Sequence, residues 1–190
     1  MRHPFSLVLW GLIALLFVQC AKRGNPTGGP EDETPPILLR AVPELNATQF
    51  REDRIRLYFD EYIKLNKLKE QLIISPPLDP VSYIISPQST AAKYVQIELL
   101  DSLRSNTTYN FNFGQSIVDN NEGNPYPYFR YVFSTGDYVD SLQVRGTIGN
   151  AFGREAKNFV SVMLYAVDST YTDSLIYNRP PDYLSNTLDS

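Results

Sequence analysis

One cysteine and one histidine are all that this chain of 190 residues holds of the side chains on which most hydrolytic and metal-dependent chemistry relies. Cys20 has no second thiol to pair with, so no disulfide framework can staple the fold. The histidine is His3, at the amino end, and residues 21–190 offer no imidazole for a triad, a proton shuttle or a zinc site. What remains for catalysis is carboxylate, tyrosine or lysine chemistry, chiefly the paired acids of glycosidases. Asp60 and Glu61 are adjacent, and neighbours on a strand point to opposite faces, so they cannot flank one bond together. They read as charges at a strand end. Basic residues are also in short supply, with 17 Lys and Arg against 21 Asp and Glu, a net charge of -4. No basic block occurs beyond Lys22 and Arg23, which argues against nucleic acid as a partner. Long apolar runs are missing as well. The longest, residues 5–18, falls short of the about 20 residues that a helix needs to cross a bilayer.

That short run is informative for its surroundings. Arg2 and His3 precede it, and Gln19 and Cys20 come after it, giving a charged segment, an apolar segment and a processing point. The pattern resembles a bacterial lipoprotein signal peptide. Gln19 and Phe17 stand where that family prefers a small residue and a leucine. An ordinary secretory signal is the alternative, although no small-x-small cleavage site precedes Cys20. The resemblance implies that residues 1–19 are removed, that Cys20 carries a diacylglycerol, and that its new amino group is acylated, with palmitate as a typical chain. Two or more acyl chains hold a protein on a membrane where one alone binds marginally. Cleavage would also remove His3 and Arg2, shifting the net charge from -4 to -5. Lys22 and Arg23 would then lie beside lipid headgroups. Residues 21–24 lack the acidic cluster that some related bacteria use to export lipoproteins to the cell surface. The expected location is therefore the outer membrane, on its periplasmic face, with the cell surface as the alternative.

Residues 24–36 read GNPTGGPEDETPP, with three Gly, four Pro and almost nothing apolar, and cannot bury a core. Such a stretch is an extended tether, so residues 20–35 are expected to form the anchor and spacer. From residue 36 the pattern changes to period two. Ile55, Leu57 and Phe59 share one face of a half-buried strand, and similar short segments lie at 71–75, 81–86, 94–100, 108–114 and 129–136. Proline, Ser-Asn and Asp-to-Pro turn signals separate them, and only 65–72 carries helical spacing. About seven short strands in about 100 residues predict an all-β, antiparallel two-sheet sandwich. The order of motifs also resembles the bacterial Ig-like domain of S-layer-type proteins. The matching pieces are TPP (34–36), VPELNAT (42–48), IRLYFDEYI (55–63), LIISPPL (72–78), TTYNFNFG (107–114) and IVDNNEGNPYPYFRYVFSTG (117–136). The resemblance implies an Ig-like domain over 36–137 that works as a spacer or adhesion module. The leader and tether also resemble those of Gram-negative lipoproteins carrying this domain.

A second unit is expected over 138–190. Val144 with Thr147 and Ile148 suggests one strand, Val160, Val162 and Leu164 another, and segments 173–177 and 179–185 come next. It resembles the opening of a transthyretin-like or carboxypeptidase-regulatory-like β-sandwich. Too few strands are present to close a sandwich, so this second domain is expected to be incomplete and the chain truncated.

Candidate sites are few. The acid and amide oxygens of 119–124 could hold calcium, but Gly123 is fifth and Arg130 twelfth where an EF-hand needs Gly sixth and Glu twelfth. Asn and Gly there also suit a turn, which is the preferred reading. Tyr126 and Tyr128 flank Pro127 and are candidate aromatic ligand contacts, while Phe129, Tyr131 and Phe133 alternate onto a core face. Asp-Ser triplets place Ser102, Ser141, Ser169 and Ser174 in a pattern resembling an O-glycosylation acceptor of some Gram-negative periplasmic proteins. No catalytic residue, metal ligand or cofactor is expected. The favoured function is a non-enzymatic, lipid-anchored envelope protein whose partners are the membrane, through Cys20, and envelope proteins or glycans. The alternatives are a glycan- or polymer-binding surface component, or the arm of an enzyme with its catalytic domain beyond residue 190.

Overall fold

The computed structural model describes residues 29–149 and 160–188. Eight strands come first: β1 (Leu38–Val42), β2 (Arg54–Leu65), β3 (Ile73–Ser75), β4 (Tyr83–Ser86), β5 (Ala92–Leu99), β6 (Thr108–Gly114), β7 (Ile117–Asp119) and β8 (Phe129–Ser134). The helical spacing at 65–72 becomes a single turn, α1 (Leu68–Gln71). The strands form two antiparallel sheets, one ordered β1-β2-β5-β4 with β7 also on β2, the other β3-β6-β8. With the short β7 set aside, seven strands in the order first-second-fifth-fourth against third-sixth-seventh make the constant-type immunoglobulin sandwich. The fold is the all-β sandwich that the alternation predicts.

Period two decides which side chains enter the core. Along β2, Ile55, Leu57 and Phe59 are buried while Arg54 and Asp60 are exposed, and Val95, Ile97 and Leu99 repeat the pattern on β5. The facing sheet supplies Tyr109, Phe111 and Phe113 from β6 and Phe129, Tyr131 and Phe133 from β8. Phe133 is the hub, with ring centroids 4.2 Å from Phe50, 5.6 Å from Tyr109, 5.8 Å from Tyr131 and 6.1 Å from Phe111. Full burial of such a ring contributes about 1.5–3 kcal/mol, so these aromatics fill the space that antibody domains bridge with a disulfide.

One edge of the second sheet is covered. After β1 the chain crosses to the second sheet, where the Asn46 N–H donates to the Val132 carbonyl at 2.8 Å and the Phe50 N–H to that of Ser134 at 3.0 Å. Partner numbers rise together, so this segment runs parallel to β8 and caps an edge that would otherwise template pairing with another chain. On the first sheet, β2 does not stop at the Asp60–Glu61 charge pair as expected. Its ladder is irregular between Tyr58 and Ile63 and resumes at Ile63 against β7. The pair therefore sits within a 12-residue strand, where the added apolar partners Ile63 and Leu65 carry the strand onward.

Beyond the sandwich, β9 (Ser161–Leu164) and β10 (Tyr183–Asn186) pair antiparallel, with a 3-10 helix at Asp173–Tyr177 between them. β10 meets β3 and β6 through the Leu184 N–H on Ser75 Oγ at 3.0 Å and Asn112 Nδ2 on Asn186 Oδ1 at 3.2 Å. The strand expected around Val144 and Ile148 is absent. Residues 141–149 have no regular structure, and Leu142 and Val144 are 97% and 88% exposed. No described segment offers them a ladder, and a strand without one leaves its backbone groups to water.

Candidate functional site

The loop between β7 and β8 is built around one inward-turned carboxylate. Asp119 ends β7 and is 1% exposed. Its Oδ1 accepts the N–H groups of Asn121 and Glu122 at 2.8 Å and of Gly123 at 3.0 Å, and its Oδ2 accepts that of Asn124 at 2.7 Å. Gly123 supplies the positive φ of 89° that this wrap requires. Burial pushes the Asp119 carboxyl up, but the four N–H donors outweigh it and hold it below the ordinary value. Both oxygens are thus occupied by the protein's own backbone, in keeping with the turn reading. Asn124 Nδ2 also donates to the Asp32 carbonyl at 2.6 Å, tying the chain's approach to the sandwich to this loop.

Glu61 lies alongside. Burial first, then the charges of Asp119 and Asp60, raise its carboxyl above the ordinary value. Among the described residues no group of acids, cysteine or histidine is arranged to hold a metal ion.

The sequence-predicted residues are dispersed. Cys20 lies outside the described residues. Tyr126 is half-buried, its ring 5.7 Å from Phe59 and 5.5 Å from Phe129, so much of its surface serves the core. Tyr128 is 41% exposed with a φ of 41° and points from the loop into solvent. Ser102, Ser141, Ser169 and Ser174 are all exposed; Ser169 and Ser174 share the β9–β10 connection, and the other two lie in separate loops. Nothing brings them together with the tyrosines.

Two tyrosine hydroxyl contacts were not legible in the sequence. Tyr109 Oη accepts the Arg104 N–H at 2.9 Å, five residues upstream, which is the tyrosine corner of immunoglobulin-like sandwiches. Its signal is the tyrosine at the start of the strand after the Ser105–Asn106 turn. Tyr131 donates its hydroxyl to the Pro43 carbonyl at 2.9 Å, and burial pushes its hydroxyl pKa up. Compared with known families, residues 32–135, more than half of the chain, match the family described as bacterial Ig-like domain. No curated protein matches the chain significantly.

Proposed function

Because the chain belongs to the bacterial Ig-like domain family, we propose that it is a lipid-anchored, non-enzymatic cell-envelope protein whose sandwich serves as a spacer and adhesion module. One observation carries this reading: the order of parts. An apolar leader runs to Cys20, a Pro- and Gly-rich stretch comes next, and the family match begins at residue 32. In this reading Cys20 is acylated, the tether holds the domain clear of the headgroups, and the outer membrane's periplasmic face is the site of action. The partners are then the membrane itself and envelope proteins or glycans that meet the sandwich. The Ig-like architecture supports a structural or interaction role, since its interior is filled by side chains.

Mass spectrometry of the amino-terminal peptide from detergent-extracted protein tests the anchor. An acylated peptide beginning at Cys20, with Cys20→Ala released from membranes, is the expected result. A free peptide beginning elsewhere would remove the anchor and make this a secreted or periplasmic protein with a free thiol.

A further inference from the structure

The outward face of the β1-β2-β5-β4 sheet carries a row of side chains that the core does not explain. Where β1, β2 and β5 lie side by side, Arg40 stands opposite Tyr58, and Tyr58 opposite Tyr94. Strands are spaced about 4.8 Å apart, so the three side chains form one rung across the sheet. The two tyrosine rings are 5.8 Å apart, and the Arg40 guanidinium lies 4.2 Å from the centre of the Tyr58 ring. In the next rung Arg56 reaches to 5.7 Å from the Tyr94 ring while its Nε donates to Gln96 Oε1 at 2.9 Å. Past the irregularity in β2, Lys93 lies 5.5 Å from the Tyr62 ring. Tyr62 is 56% exposed and Tyr94 39%, although both rings are large and apolar over most of their area.

The charges on this face are left over. Glu98 is engaged by Arg54 at 3.5 Å, and the Asp60 carboxylate accepts the Ile37 N–H at 2.8 Å. Arg40, Arg56 and Lys93 have no ion-pair partner among the described residues, although Lys93 Nζ donates to the Asp60 carbonyl at 3.2 Å. In a chain whose net charge is -4, Arg40 and Arg56 on one sheet face, with Lys93 near its end, make a local excess of positive charge. Stacking over a tyrosine also spends none of a guanidinium's five N–H donors. It fixes the plane and leaves the donors free at its edges for a carboxylate, which they can meet in pairs. The neighbouring tyrosine rings offer flat apolar faces, each with a hydroxyl at its rim. A ligand suited to this row is extended, carries repeated carboxylates and has flat C–H surfaces between them.

We propose that this face binds an acidic polysaccharide, its carboxylates on Arg40, Arg56 and Lys93 and its sugar rings against Tyr94 and Tyr62. The proposal rests on the adhesive reading above and names what the module adheres to. Native electrophoresis of the detergent-extracted full chain, in gels containing polygalacturonate or neutral dextran, tests it. Polygalacturonate should retard the protein and dextran should not. Arg40→Gln and Tyr94→Ala should each weaken the apparent affinity about tenfold, the size of one lost charge-assisted or stacking contact. Tyr128→Ala should leave it unchanged. Arg40→Gln alters an exposed side chain, so it decides the matter even if Tyr94→Ala folds poorly. Absence of retardation by polygalacturonate, or retardation that Arg40→Gln leaves intact, overturns the proposal. The assay runs whether or not Cys20 is acylated. A negative result would therefore remove the ligand and spare the anchor, while an unacylated Cys20 would do the reverse.

Discussion

Asp119 and Glu61 are two carboxylates in one neighbourhood whose environments push in opposite directions. Asp119 is held below its ordinary value by four backbone N–H donors, so its contribution to stability is present above about pH 4, the unfolded value, and is lost as pH falls through the lower folded one. Glu61 is raised by burial and by neighbouring acids. Its contribution is therefore favourable below about pH 4.3 and is lost as pH rises through its folded value. Urea midpoints measured across pH should separate the two. Glu61→Gln should raise the midpoint at pH 7, whereas Asp119→Ala should lower stability there by about 2–3 kcal/mol, the cost of stranding several donors. An Asp119→Ala variant as stable as the wild type would mean that water replaces the carboxylate in the loop without loss. The Asn and Gly residues of this loop made a turn legible in the sequence. The inward direction of Asp119 was not, because it depends on β7 pairing with Ile63 and Leu65 more than 50 residues earlier.

At the scale of elements, alternation was legible wherever a strand has one wet face. Ile55, Leu57 and Phe59 announce β2, and Phe129, Tyr131 and Phe133 announce β8, and all six are buried. β7 was hidden because Ile117, Val118 and Asp119 are all buried, so no alternation exists to detect. The outward half of β2 was equally present in the sequence as Arg54, Arg56 and Tyr58, but only the register shows that Tyr58 faces Arg40 and Tyr94. The reverse error occurs at Val144 and Ile148, where a short apolar rhythm has no ladder to join. These contrasts predict unequal costs. Phe133→Ala, at the hub of the aromatic cluster, should cost about 3–5 kcal/mol by removing contacts and leaving a cavity. Val144→Ala should stay within about 0.5 kcal/mol, as surface changes do. Chemical denaturation of the two variants checks both. A large effect at Val144 would show that 141–149 is packed in solution.

The whole molecule divides its labour unevenly between the sandwich and the hairpin beyond it. The aromatic core, the tyrosine corner and the covered edge of β8 all lie between Leu38 and Gly136. β9 and β10, by contrast, form a two-stranded ribbon, and every residue of β9 is exposed, Met163 and Leu164 at 54% and 51%. A lone hairpin is marginal in water, so it should add little to the free energy that holds the sandwich. Its attachment is polar, through Ser75 and Asn112, and such exposed or half-buried bonds contribute about 1 kcal/mol each. A chain ending at Asp137 should therefore fold as a cooperative unit. The slope of its urea transition reports the surface exposed on unfolding, and should fall only slightly from that of the longer chain. Its midpoint should stay close, because few apolar contacts are removed. A truncated chain that loses its cooperative transition would mean that the hairpin completes the β3-β6-β8 sheet energetically. In that case residues 138–190 would be part of the first domain, and the boundary read from the sequence would have to move.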